Sequence, residues 1–351
     1  MYLRDRKTKR HARPTLSVLG FAHHGRSAGV VRALTDFGAD ESFGRAAAKF
    51  EEHYGYALGR TTVLRVVETE AREIETYVAT RLESTKSLYD EPIATRPGVD
   101  CMIAEMDGCE IRTGTLKRAK TRVRTTVRKL PKRVRVEAWR DVRLGLVRDL
   151  RAVTKTYVGG LRSYDDVTED LFAAAVSKGL SSRTKVVGIA DGGIGICEQM
   201  ESKFANFQFI LDRPHFKQHL YAAADAIGHK SDARERWVDR VTSRCEAGKS
   251  RTAIRELRQH KGRGKAVVLR LANYLERFRD SVHYESYRKD GYPTGSGEIE
   301  SGHRVVPQKR LKLPGACWHP NTINPMMSLR ILRENGWWND YWLSRAVTHA
   351  A

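Results

Sequence analysis

With 351 residues, 40% of them hydrophobic and 30% charged, the chain has the length and composition for two or three domains around at least one sizeable core. Its 63 Lys and Arg against 42 Asp and Glu leave a formal net charge of +21, a surface that attracts polyanions, of which nucleic acid is the commonest in a cytosol. No apolar run is long enough to span a membrane or head a secretory signal, and five cysteines without a C-x-x-C spacing argue against a disulfide framework and a zinc finger, so the chain reads as cytoplasmic with no membrane partner.

Residues 1–40 are basic and punctuated by Gly, without a sustained period, and read as an irregular N-terminal arm. Ser42 suits an N-cap. Phe43, Ala46, Ala47, Phe50 and Tyr54 follow helical spacing, and Gly55 stands where that helix would stop. After a link through Tyr56–Gly59, Thr61 or Thr62 can cap a second helix carrying Val63, Leu64, Val66 and Val67. Two helices joined by a Gly-containing turn within 41–97 fit a helix-turn-helix-like DNA-binding region, and fit equally a small bundle that only packs. A long polar helix from Glu68 to Lys86 follows.

Near residue 98 the pattern changes. Cys101-Met102-Ile103-Ala104 reads as a strand leading to Asp107-Gly108, with Glu110 to Leu116 folding back as its hairpin partner. Between Arg112 and Arg135 stand eleven Lys or Arg and no acid. Such a run is a loop or solvated face suited to phosphate, with Arg122, Arg124, Arg128, Lys129, Lys132 and Arg133 as candidate DNA-binding residues. Val142 to Val147 is a strand. Ser163 opens a helix through Val167, Leu171, Ala174 and Ala175 that Gly179 stops. Val186 to Ala190 is a strand ending at Asp191-Gly192-Gly193, a helix spans Ile196 to Phe204, and Phe207 to Leu211 is a strand ending at Asp212. An Ala-rich helix over 216–228 precedes an all-helical, strongly basic insertion over 229–290. Gly295-Ser296-Gly297 then leads to Glu298 and Glu300, and Trp337, Trp338 and Trp342 mark a helical tail. This order describes an α/β domain with a mixed sheet, covering 98–228 and completed by part of 291–351.

Three strands run straight into aspartates: Asp107, Asp191 and Asp212. Sites in open α/β sheets form beyond the carboxyl ends of strands. One Asp-Gly pair alone is an ordinary turn, but like charges gathered at one edge are costly unless a cation holds them. Glu298 and Glu300, two apart on a helix, point to different faces, so at most one lines the same cleft. Carboxylates holding two magnesium ions are the arrangement that in-line attack on a phosphodiester needs, and a basic surface delivers a substrate that an acidic site repels. His215 and His219, four apart on a helix, have a spacing that could bind zinc, without a further ligand pair in view. The three tryptophans either stack on unpaired bases or pack in a core.

Taken in order, these motifs resemble the RNase H-like DDE transposases of bacterial insertion sequences, close to the ISKra type and related to the Mutator-like group. The resemblance runs from about Glu41 to Trp342. In that family the first catalytic Asp follows the first strand, matching Asp107 in Met106-Asp107-Gly108, and the second follows the fourth strand, matching Asp191 in Ala190-Asp191-Gly192. An accessory (C/D)-x-x-H motif follows the fifth strand and matches Asp212-Arg213-Pro214-His215. An all-helical insertion comes next, and the catalytic Glu lies in Pro-x-Gly-Ser-Gly-x-x-Glu, matching Pro293 to Glu300. Leu329-Arg330, Asn335-Gly336-Trp337-Trp338 and Tyr341-Trp342 complete the pattern.

The resemblance implies an RNase H-like core that cleaves DNA at element ends and joins the freed 3′-hydroxyl to a target. It implies Asp107, Asp191 and Glu300 as ligands of two Mg²⁺ or Mn²⁺ ions, Asp212 and His215 as accessory residues, and a homodimer on double-stranded DNA. Position 298 is usually apolar in such sequences and is Glu298 here, so Glu298 stands as the alternative to Glu300. Asp212 is the alternative to Asp191. Such sequences carry more residues before the first helix, which makes a truncated copy an expectation. An RNase H-like nuclease or resolvase, or an inactive DNA-binding derivative of a transposase, are the other readings.

Overall fold

Ser27 accepts a hydrogen bond from the Val30 amide and starts α1 (Ala28–Asp40), inside the segment whose glycines point to irregular backbone. Its Gly38 lies against another helix: a Cβ there would stand 2.4 Å from Val67 Cγ2. Close approach, not a chain break, is what that glycine permits. The computed structural model describes residues 3–4, 11–12, 21–22, 26–90, 98–118 and 133–350. Ahead of α1, two short antiparallel pairs join Leu3–Arg4 with His11–Ala12 and Phe21–Ala22 with Arg26–Ser27. The chain divides into two compact units, one of Met1–Arg81, Glu110–Asp141 and Arg304–Ala351, the other of Leu82–Cys109 and Val142–His303.

In the first unit, α2 (Phe43–Tyr54) begins on Ser42, which accepts from the Arg45 amide, and ends at Gly55 with φ 66°, as the spacing predicts. The next helix differs from expectation. Instead of a capped helix near Thr61 and a separate polar one from Glu68, a single helix α3 (Arg60–Ser87) of 28 residues runs through. Its amides at Thr62 and Val63 donate to Gly59 C=O. Val63, Val67, Ala71, Ile74 and Val78 form one unbroken buried stripe at three- and four-residue steps, so nothing at the supposed junction interrupts the period.

The sheet has five strands, β1 (Cys101–Arg118), β2 (Arg133–Asp149), β3 (Thr156–Gly160), β4 (Lys185–Ala190) and β5 (Phe207–Leu211), in the order β3-β2-β1-β4-β5. β4 is parallel to both β1 and β5, and β3 is antiparallel to β2. The Leu150 amide donates to Cys101 C=O and Thr113 Oγ1 to Ala138 C=O, so β2 returns antiparallel along β1. The mixed α/β architecture is as expected; two strand assignments are not. Glu110 to Leu116 is no hairpin partner but the continuation of β1. Gly108 is not among the positive-φ glycines, so Asp107-Gly108 stays extended instead of turning. β3, whose Thr156-Tyr157-Val158-Gly159-Gly160 is buried throughout, escaped the sequence reading because a strand covered on both faces shows no alternation.

In the second unit, α4 (Tyr164–Ser177) starts at a reciprocal cap between Ser163 and Asp166 and packs on β3, while α5 (Ile196–Lys203) packs on β5. Asp212 caps α6 (Arg213–Ile227), which ends at Gly228 with φ 101°. The insertion is helical as predicted: α7 (Ser231–Glu246), α8 (Ser250–Gln259), α9 (Lys265–Arg277) and α10 (Tyr284–Lys289). The chain then returns as α11 (Gly297–His303). Met102, Ile103, Ala104, Leu144, Leu146, Val187, Ile189 and Ile210 are fully buried; with neighbours in β1 covered on both faces, the sheet centre reads as continuous apolar sequence.

In the first unit, α12 (Ile323–Glu334) and α13 (Trp338–Ala350) form the tail. Trp342 is buried and meets Trp338 edge-on at 5.6 Å, and the guanidinium groups of Arg81 and Arg333 lie 4.7 and 4.8 Å over Trp337 and Trp338. Packing, the second of the two readings, accounts for these rings. Among the described residues no helix is long and apolar enough to cross a membrane, and all five cysteines are free.

Candidate functional site

Strand register sets the site. β1 pairs with β4 at Glu105↔Ile189, and β4 with β5 at Ala190↔Leu211. Continued past those pairs, the same register levels Asp107 with Asp191 and Asp191 with Asp212. Adjacent strands lie about 4.8 Å apart. Three acids spread over about a hundred residues of sequence thus stand level across three neighbouring strands, Asp191 and Asp212 just past the ends of β4 and β5 and Asp107 within β1, which runs on to Arg118.

Their surroundings differ. Asp107 Oδ1 accepts from the Gly108 amide at 2.7 Å, and its Oδ2 stands 3.3 Å from His303 Nε2. That approach is an ion pair without hydrogen-bond alignment, since neither ring nitrogen of His303 has an aligned partner. Burial raises the Asp107 pKa, but His303, the Gly108 amide and nearby His215 together outweigh it and hold the carboxyl below its usual range. Burial likewise lowers the His303 pKa, yet Asp107 and Cys109 more than offset it and bring it to about 9. Near neutrality the pair is carboxylate and imidazolium.

Asp191 opens a genuine turn: its Oδ1 accepts from the Gly193 amide at 2.8 Å, and Gly192 has φ 78°. Tyr274 Oη donates to the Asp191 carbonyl at 2.8 Å, which ties the insertion to this edge. Asp212, 1% exposed, has both oxygens engaged. Oδ2 accepts from the His215 amide at 2.8 Å and lies 2.6 Å from His215 Nδ1, while Oδ1 accepts from the Ser296 amide at 2.6 Å. It is a junction between β5, α6 and the entry to α11. His219, one turn after His215, meets the Tyr274 ring at 4.4 Å with the two rings tilted, and burial, followed by His215, lowers its pKa.

The segment carrying Glu298 and Glu300 is pinned at several points, most of them invisible in the sequence. Besides the Asp212 contact, the Ile299 amide donates to Glu105 Oε2 at 2.7 Å. Glu105 is wholly buried on β1, and that burial pushes its carboxyl up to about 8 against the Ile299 hydrogen bond. Glu298 is gripped by Arg148 through Nη2 at 2.6 Å and Nε at 2.9 and 3.0 Å, and by Lys155 at 3.0 Å. Gly302 lets the helix sit close on the sheet, because a Cβ there would stand 2.8 Å from Tyr157 Cε1 and 3.2 Å from Leu144 Cδ2.

At about 100° per residue, Glu300 lies about 60° around α11 from His303, one turn earlier. Glu298 lies about 140° away on the other flank. The two glutamates therefore take different faces, as their spacing requires: Glu298 turns to Arg148 and Lys155, and exposed Glu300 flanks the His303 side that meets Asp107. Glu105, Arg148, Lys155, Tyr274 and His303 were not candidates from the sequence. Only Glu105 carried a signal, an acid inside an otherwise apolar strand.

Carboxylate oxygens are the donors that Mg²⁺ selects, so the chemistry of Asp107, Asp191 and Glu300 fits such an ion. Among the described residues, no three His, Cys, Asp or Glu side chains group closely enough to hold a metal. Among those residues the pair His215 and His219 has no third partner for zinc. Arg122, Arg124, Arg128, Lys129 and Lys132 lie outside the described residues, and Arg133 is the first residue of β2. Compared with protein-family models and with curated proteins, the chain finds no match.

Proposed function

We propose that this chain is a DDE transposase of RNase H-like fold, cutting DNA at the ends of an insertion sequence and joining the freed 3′-hydroxyl to target DNA. One observation carries the reading: Asp107 and Asp191 stand level on adjacent parallel strands, and the helix bearing Glu300 is tied back to that edge through Asp212, Glu105 and His303. The chain order adds support. Asp191 follows the fourth strand of the sheet, Asp212 the fifth, and five helices, α6 to α10, separate Asp212 from α11, which is the order of the family the motifs resemble. The alternative acid, Glu298, is neutralised by Arg148 and Lys155, and Asp212 spends both oxygens on the protein. These commitments favour Glu300 and Asp191.

Asp107, Asp191 and Glu300 would hold two Mg²⁺ or Mn²⁺ ions, which when bound supply an activated nucleophile and stabilise charge on the departing oxygen. His303 keeps Asp107 ionised. Asp212 and Glu105 fix the approach of α11. The net positive surface draws in the DNA backbone, with α2 and α3, joined across 55–59, as the helix-turn-helix-like pair and a homodimer as the working assembly.

The test is Mg²⁺-dependent nicking and 3′-end joining of duplex DNA. Asp107→Asn, Asp191→Asn and Glu300→Gln each abolish cleavage and spare DNA binding, while Glu298→Gln retains cleavage. A variant among the first three that cuts at the normal rate removes that residue from the assignment. Cleavage without joining selects an RNase H-like nuclease or resolvase. A second reading, an inactive DNA-binding derivative, draws on the lack of a three-ligand grouping among the described residues; binding without any nicking would select it.

A further inference from the structure

The helical insertion carries a surface that the proposed chemistry leaves unused. α8 buries Ala253, Ile254 and Leu257 and turns Arg251, Arg255 and Arg258 outward at positions i, i+4 and i+7, one side of the helix. Together with Glu276 on α9 and Arg279 just beyond it, these arginines line an open groove of about 500 Å³. Glu276 pairs with Arg258 at 3.0 Å and with Arg279 at 3.2 Å, and Arg279 also meets Asp280 at 3.2 Å. Among the described residues Arg251 and Arg255 have no carboxylate partner, and both are exposed. Like charges one turn apart on a helix repel each other, a repulsion that a bound polyanion relieves.

We propose that this groove binds the phosphodiester backbone of double-stranded DNA, as a contact separate from the acidic edge. It extends the transposase reading to a second DNA contact. Arg251 and Arg255 are about 6 Å apart along the helix axis, and phosphates of one strand recur about every 3.4 Å along the duplex, so the pair spans about two phosphate steps of one strand. The paired Arg258 and Arg279 are held at the groove by Glu276. The stretch 229–290 holds 17 Lys and Arg against 9 Asp and Glu, so the field around the groove attracts the same partner. An open, linear array of guanidinium groups suits an extended backbone better than one enclosed phosphate.

The experiment is fluorescence anisotropy of the full chain on a duplex of about 30 bp in EDTA, from about 50 to 200 mM salt, read as the slope of log affinity against log salt. Arg251→Ala with Arg255→Ala reduces that slope by about 1.8, at about 0.9 per phosphate contact. Arg251→Lys with Arg255→Lys, which retains charge, restores the wild-type slope and guards against a folding artefact. An Ala pair whose slope equals wild type overturns the proposal, as does an equal loss for the Lys pair. A larger loss on an RNA duplex than on DNA overturns the choice of partner. Because no metal is present, a chain that never cleaves still yields this slope, so failure of the transposase reading and failure of the groove are read separately.

Discussion

Replacing Arg148 with Met tests how the acidic helix is held. The Arg148 side chain is 11% exposed and that of Glu298 27%, so the pair is well screened from water. Arg148 makes three contacts of 2.6–3.0 Å to the Glu298 carboxylate, and its Nη1 donates to the Asp149 and Leu150 carbonyls at 2.9 and 2.7 Å. Removing one partner of a buried pair costs about 3–5 kcal/mol. Here Glu298 keeps Lys155 and some solvent, which points to the low end, about 3 kcal/mol. Urea denaturation at neutral pH measures the loss, and a cycle with Glu298→Gln isolates the coupling, expected at about 2 kcal/mol. A loss under about 1 kcal/mol, or coupling near zero, is the behaviour of an exposed ion pair and would refute the view that this contact anchors α11.

Glu105 predicts a pH dependence. Its folded carboxyl, raised by burial from an ordinary 4.5 to about 8, binds more protons than the unfolded chain between those values. Its contribution is therefore complete below about pH 4.5 and is lost as pH rises through about 8, a change of a few kcal/mol at about 1.4 kcal/mol per unit. Urea denaturation in EDTA at several pH values should show Glu105→Gln gaining on the wild type as pH rises; parallel curves for the two proteins would sink the idea. Gly302→Val places carbon where Tyr157 and Leu144 already stand and should cost about 1–3 kcal/mol by overpacking, read as a lower thermal midpoint. An unchanged midpoint would mean that α11 does not sit tightly on β2 and β3.

Local sequence carried the elements wherever one signal dominated. Ser42, Ser163, Gly55 and Gly179 mark helix ends because caps and left-handed turns are decided within a few residues, and the apolar runs before Asp191 and Asp212 are strands because their neighbours are turn formers. Where two local signals conflicted, the sequence misled. Gly38 marks close helix packing, Asp107-Gly108 lies in an unbroken strand, and the Thr61 cap is overridden by a stripe that continues past it.

That Asp107, Asp191 and Asp212 each follow an apolar strand segment was legible from residue order alone. What each acid is for was not, because its partners arrive from other parts of the chain: His303 for Asp107, Tyr274 beside Asp191, the Ser296 amide for Asp212, and Arg148 with Lys155 for Glu298. Sequence determines which acids follow apolar strand segments, since that depends on local pattern. Only the tertiary structure decides which stay free, since a carboxylate is engaged or available according to donors brought to within about 3 Å by strand register and helix docking.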